Sequence, residues 1–129
     1  MSDGPAVIDA SALLALIFGE TLSVTRGAFE NGLLSTVNLA ETLAKMADIG
    51  AGTEDAMVDI EALGLNLTIV DFDRGAAILA ADLRARTKHL GLSLGDRACL
   101  AVARSRDLPV LTADRAWAKL SEFRVIPVR

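Results

Sequence analysis

The sequence has few of the residues from which many sites are built: among 129 residues there is one cysteine, one histidine and one tryptophan, and aromatic residues make up only 4%. Cys99 has no possible internal partner, so no disulfide holds the fold, and its apolar surroundings mark it as a small buried hydrophobe suited to a reducing compartment. With His89 as the single histidine and no CxxC or HExxH spacing, a zinc-type site of soft ligands is excluded. The apolar run AVIDASALLALIF is interrupted by Asp9 and too short to cross a bilayer, and the preceding MSDGP carries no basic leader. A cytoplasmic protein with no membrane partner is expected.

What is present is aliphatic. Hydrophobic residues reach 52%, so the core must be built from Ala, Leu, Val and Ile, and a chain of 129 residues can bury such a core as one domain, 1–129. The formal net charge of −4 speaks against binding nucleic acid through bulk charge. The distribution says more: residues 1–70 hold 2 Lys/Arg against 10 Asp/Glu, a net of −8, whereas residues 71–129 hold 11 against 7, a net of +4. An acidic cluster beside a basic region suits a site that binds cations and then a phosphate backbone, although a solvated imbalance would look the same.

Short apolar runs alternate with helical patterns along the whole chain. Ala6–Ile8, Leu33–Val37, Leu67–Val70, Val110–Leu111 and Arg124–Pro127 read as strands. Helices are expected from Ser11 to Phe18, over 38–49 and 53–63, from a cap at Asp73 to Lys88, over 94–105, and briefly at Ala116–Leu120. Asp82 and Arg86 have i, i+4 spacing on the helix that Asp73 caps. Strands that are apolar on both faces and separated by helices indicate an α/β sandwich, a central parallel sheet flanked by helices.

In such sheets ligands bind beyond the carboxyl ends of the strands. Asp9 directly follows the first strand, Asp114 lies just past the fourth, and Asp96 sits in the first turn of the helix that feeds that strand. Glu41 (in STVNLAE) opens the helix after the second strand. Each acid also has a local reading: Asp9 and Asp114 as helix caps, Ser93 with Asp96 as a capping box, and Asn38 with Glu41 as another. Four acids directed at one sheet edge would nonetheless repel strongly unless a cation joined them, and all-oxygen ligation suits Mg²⁺ or Mn²⁺. Such ions serve phosphodiester cleavage.

VIDASALLALI, TVNLAET, GLSLGDRACLAVA and VLTADRAW, in this order, resemble the four motifs of the PIN-domain family and, within it, the VapC-type toxins of bacterial toxin–antitoxin pairs. The resemblance implies a PIN-like three-layer sandwich and an Mg²⁺- or Mn²⁺-dependent endoribonuclease. It also implies catalysis and metal binding by Asp9, Glu41, Asp96 and Asp114, a VapB-type antitoxin partner and a homodimer. Ser11, Asn38 and Thr112 are expected to support the acids, each with a local capping or strand-end role as the alternative. Arg97 and Arg115 flank two of the acids and are candidates for RNA phosphates or for pairing with neighbouring carboxylates.

Arg84, Arg86 and Lys88 form an RNA-facing or merely solvated surface, His89 is expected to face solvent, and Trp117 and Phe123 to serve the core or a dimer contact. A phosphoryl-accepting receiver domain would also gather acids around Mg²⁺, with Asp71 as acceptor, but Asp9 lacks the adjacent acid and only Pro127, Val128 and Arg129 follow Ile126. A haloacid-dehalogenase-like phosphatase needs a second aspartate where Ser11 stands. A non-catalytic interaction module on the same fold is the remaining alternative.

Overall fold

The computed structural model describes residues 4–129; Met1–Asp3, part of the stretch read for a basic leader, lie outside the described residues. The order of elements is β1 (Val7–Ile8), α1 (Ala10–Ile17), β2 (Leu33–Ser35), α2 (Thr36–Asp48), α3 (Thr53–Ala62), β3 (Thr68–Val70), α4 (Arg74–Thr87), α5 (Leu94–Arg106), β4 (Val110–Thr112) and β5 (Val125–Pro127). The five strands form one parallel sheet in the order β3-β2-β1-β4-β5. The chain builds outward from β1 to β3, crosses back through α4 and α5, and continues on the other side of β1. The strand order therefore reverses between β1 and β4, where an open parallel sheet leaves a crevice.

Alternation along the strands makes this sheet the middle of three layers. Val7 is in register with Leu33 and Val110, and these three pack with Leu83, Cys99, Leu100 and Trp117 on the α4–α5 side. Ile8, Leu34 and Leu111 point the other way, onto Ala12, Leu13 and Phe29. A smaller cluster of Met46, Ala56 and Ile60 joins α2 to α3. Each aliphatic side chain so enclosed contributes roughly 1.5–3 kcal/mol, and β1, at the centre, is fully covered on both faces. The edge strand β3, by contrast, leaves Thr68 and Ile69 exposed. Cys99 and Trp117 are buried and Phe123 packs partly against them, as expected of core residues, and His89 is exposed.

Several local expectations are corrected. The second strand stops at Ser35 rather than Val37, because the Ser35 hydroxyl accepts from the Val37 N–H and starts α2 early, overriding the β preference of Val37. Asn38 is consequently not a cap, and Glu41 lies in the second turn of α2 rather than the first. A 3-10 turn at Arg26–Phe29 had no clear sequence signal; it drops Phe29 into the core. Arg86 pairs with Glu122 across the fold instead of with Asp82 on its own helix, and Arg104 meets the same Glu122 oxygen. No helix among the described residues is long and apolar enough to cross a membrane.

Candidate active site

The site begins where β1 ends. The Asp9 N–H donates to the Leu111 carbonyl, prolonging the β1–β4 ladder, while the Asp9 carbonyl accepts from Ala12 and Leu13 and opens α1. With its backbone held by sheet and helix together, Asp9 places its side chain at the reversal point, only 4% exposed. That side chain does not cap α1. Its Oδ2 accepts from the Ser11 hydroxyl at 2.5 Å and from the Thr112 hydroxyl at 3.0 Å.

Proton accounting defines what these hydroxyls do. Each has one hydrogen and gives it to Asp9, so the 3.3 Å approach of Ser11 Oγ to Thr112 Oγ1 has no hydrogen left to share. Each also accepts a backbone N–H, Ser11 from Ala113 and Thr112 from Asp114. Asp9 is thereby tied to the end of β4. Burial pushes its carboxyl up to about 6 from 3.8; the two hydroxyl bonds counter this, and the charges of Asp96 and Glu41 add to it.

Glu41 and Asn38 reach the site from α2. Both amide hydrogens of the fully buried Asn38 are committed, one to Glu41 Oε1 and one to the Gly95 carbonyl, each at 3.0 Å. The amide therefore fastens α2 to α5 and holds Glu41, a role that its sequence neighbourhood concealed. Its own Oδ1 is buried without a donor. Gly95 is the residue that sequence reasoning missed. A methyl group built there would overlap the Glu41 carboxylate, so glycine leaves the room in which that carboxylate sits against the Asn38 amide. A glycine inside the first turn of an otherwise strong helix, where it costs roughly 0.5–1 kcal/mol against alanine, was the available signal.

Asp96 meets the capping expectation in full: Ser93 Oγ accepts from the Asp96 N–H and Asp96 Oδ2 accepts from the Ser93 N–H. Asp114 is exposed and caps the turn Arg115–Lys119 through the Ala116 N–H. The structure draws Asp9, Glu41 and Asp96 together above Cys99, whose thiol is pushed well up by complete burial and by these three carboxylates. Asp114 is linked to them only through its backbone N–H, which donates to the Thr112 hydroxyl, while its carboxylate stays with the cap. Arg97 donates to the Ala80 carbonyl at 2.9 Å and Arg115 to the Arg129 carbonyl at 2.8 Å, so neither pairs with a carboxylate. Asp71, the acceptor in the receiver alternative, follows β3, which β2 separates from β1, so the topology does not place it beside Asp9.

Among the described residues, no three His, Cys, Asp or Glu side chains converge closely enough to cage a metal ion unaided. The donor set nevertheless has a common pattern. Asp9 Oδ2, Glu41 Oε1, Asp96 Oδ2 and Asp114 Oδ1 are each held by a protein donor, while the second oxygen of each carboxylate has none among the described residues. Oxygens that are oriented but not used fit a hard divalent ion, which takes a few carboxylates and completes its shell with water.

The family model for the PIN domain matches residues 6–122. No curated protein matches the sequence. Among solved structures, the chain is similar to a VapBC toxin–antitoxin protein, VapBC-5, from Mycobacterium tuberculosis, with 26% identity, a TM-score of 0.61, and 97% of this chain and 98% of that one covered. A chain of the DNA-bound VapBC from Salmonella typhimurium superposes with a TM-score of 0.70 at 20% identity, covering 95% of this chain and 97% of that one. A chain of the DNA-bound VapBC2 from Rickettsia felis reaches 0.71 at 14% identity, with 98% and 100% covered. The last two establish likeness of fold.

Proposed function

The chain belongs to the PIN-domain family, and from that premise we propose that it is an Mg²⁺- or Mn²⁺-dependent endoribonuclease, the toxin of a VapBC-type toxin–antitoxin pair. PIN domains are nucleases, which supports a hydrolase acting on nucleic acid. The observation that carries the reading is the set of held but unused carboxylate oxygens around the β1–β4 crevice. Asp9, Glu41, Asp96 and Asp114 would hold the ion and act in catalysis. When bound, the ion activates the attacking water and offsets charge on the phosphodiester.

The protein's own part is orientation. Ser11 and Thr112 direct both their protons at Oδ2 of Asp9, which fixes the carboxylate and leaves Oδ1 without a protein donor among the described residues, where it would serve a cation. Asn38 fixes Glu41 in the same way, and the capping box fixes Asp96. The raised proton affinity of Asp9 is the counterpart of this arrangement: a carboxylate short of water and beside two other carboxylates gains most from a cation. Arg115, exposed next to Asp114, would meet a phosphate with its terminal nitrogens.

The solved VapBC complexes support a VapB-type antitoxin as partner, and we include a homodimer and a cytoplasmic location in the proposal. The test is cleavage of a mixed pool of structured and single-stranded RNAs by nuclease-free protein with Mg²⁺ or Mn²⁺, with chelator, and with Asp9→Asn. Metal-dependent cleavage that the variant lacks supports the reading; absence of cleavage under every condition points to the non-catalytic module.

A further inference from the structure

The four ion pairs of the described residues engage Arg86, Arg104, Arg124 and Arg129. Arg84, Lys88 and Arg97 take part in none of them, and all three line one cleft. This cleft, of about 290 Å³, is bounded by Arg84, Thr87, Lys88, Gly91, Leu92 and Arg97, with no carboxylate in its wall. Three cations brought together at the turn between α4 and α5 without a counter-charge repel one another, and an anion in the cleft would relieve that repulsion.

Its walls are built rather than incidental. Arg97 is half-buried, its Nη1 is held by the Ala80 carbonyl of α4, and its Nε is buried with no acceptor. Its Nη2 has no acceptor among the described residues, and a guanidinium braced in this way is a fixed anion contact of the kind that phosphate recognition favours. Gly91, at φ +62°, turns the chain so that Lys88 and Leu92 stand on the same cleft. Arg97 also follows Asp96 directly, so the cleft lies at the same end of α5 as the acidic site.

We propose that the Arg84–Lys88–Arg97 cleft holds a backbone phosphate of the RNA strand beside the scissile one, positioning the strand over the carboxylates. The inference rests on the ribonuclease reading above. It names Arg84 and Lys88 as substrate-positioning residues and gives Arg97 two tasks, bracing α4 and meeting the phosphate. The acid-rich first half of the chain would repel RNA, and this basic cleft supplies the attraction that half lacks.

Two exposed residues make a clean variant, Arg84→Ala with Lys88→Ala, because neither is part of the core or of an ion pair. Binding of a fluorescent single-stranded oligoribonucleotide is measured on the Asp9→Asn background as salt is raised, and cleavage is measured on the otherwise unaltered protein. Loss of the contacts to this one phosphate predicts binding weaker by roughly three- to tenfold at moderate salt and a log–log salt slope shallower by about 0.7. Cleavage should show a raised KM with kcat little changed. Arg97→Lys, which keeps the charge and loses the fork, should show the same direction of change in a variant that circular dichroism shows to be folded.

Unchanged RNA affinity, salt slope and KM in a double variant of a protein that still cleaves RNA would overturn the cleft and leave the nuclease standing. The same unchanged values with loss of binding to an oligoglutamate peptide would assign the cleft to an acidic protein partner and overturn the inference too. A parent protein that neither binds nor cleaves RNA overturns both readings together.

Discussion

Asp9 and Asp114 stand at the carboxyl ends of adjacent parallel strands and are linked through one threonine hydroxyl, yet their surroundings are opposite. Asp9 is almost sealed from water, receives two hydroxyl protons and holds its own proton up to about pH 6. Asp114 is exposed and spends one oxygen on a short cap. The difference lies in position within the sheet: β1 is covered on both faces, so whatever follows it starts inside the molecule, whereas Asp114 has already left β4 by two residues. The crevice thus grades from a desolvated carboxylate to a hydrated one. On the proposed function, the inner end would draw the cation and the outer one would admit the polymeric substrate.

The comparison is broken most severely by Asp9→Asn, which should reduce RNA cleavage to background while the folded protein, still accepting both hydroxyl protons, remains intact by circular dichroism. Asp96→Asn sharpens it from the solvated side: the amide oxygen can still accept from the Ser93 N–H, so the melting temperature should hold within a few degrees while cleavage is lost. A variant that unfolds yet cleaves normally in its folded fraction would reduce Asp96 to a cap.

The pH dependence of stability follows next. The Asp9 proton affinity is higher in the folded chain than in the unfolded one, so its charging opposes folding. Below 3.8 both states keep the proton and there is no penalty; stability then falls as pH rises from 3.8 through about 6, by roughly 3 kcal/mol in total. Urea midpoints of metal-free protein between pH 4 and 7.5, with Asp9→Asn subtracted, should show that decline, and Mg²⁺ at pH 7.5 should recover part of it. A flat difference would mean that Asp9 is better solvated than its burial implies. Smallest is Thr112→Val, which removes one of the two Asp9 donors while keeping the shape; metal affinity or activity, read from cleavage against Mg²⁺ concentration, should fall 10- to 100-fold, in the range of about that size for groups that orient a ligand.

Legibility in the sequence followed the range of the interactions. The strand–helix alternation, the place of Asp9 after β1, the Ser93–Asp96 box and the Asp114 cap depend on neighbours a few positions away, and all could be read directly. The end of β2 was misread because Thr36 and Val37 favour a strand and only the Ser35 hydroxyl tips them into α2. Arg86 chose Glu122 over the nearer Asp82, and the Asn38 amide reached the Gly95 carbonyl; both pairings are made by tertiary packing, on which local spacing is silent. Asp9 and Thr112 likewise meet only because β1 and β4 pair.

The contact between Gly95 and Glu41 ties two distant sites of the gene to one another. A codon change at position 95 that adds a side chain displaces the neighbouring acid from its seat beside the Asn38 amide without altering a single carboxylate, and such a chain would still display every acidic residue by which it is recognised. Counting acids in a sequence is therefore an incomplete census of active copies.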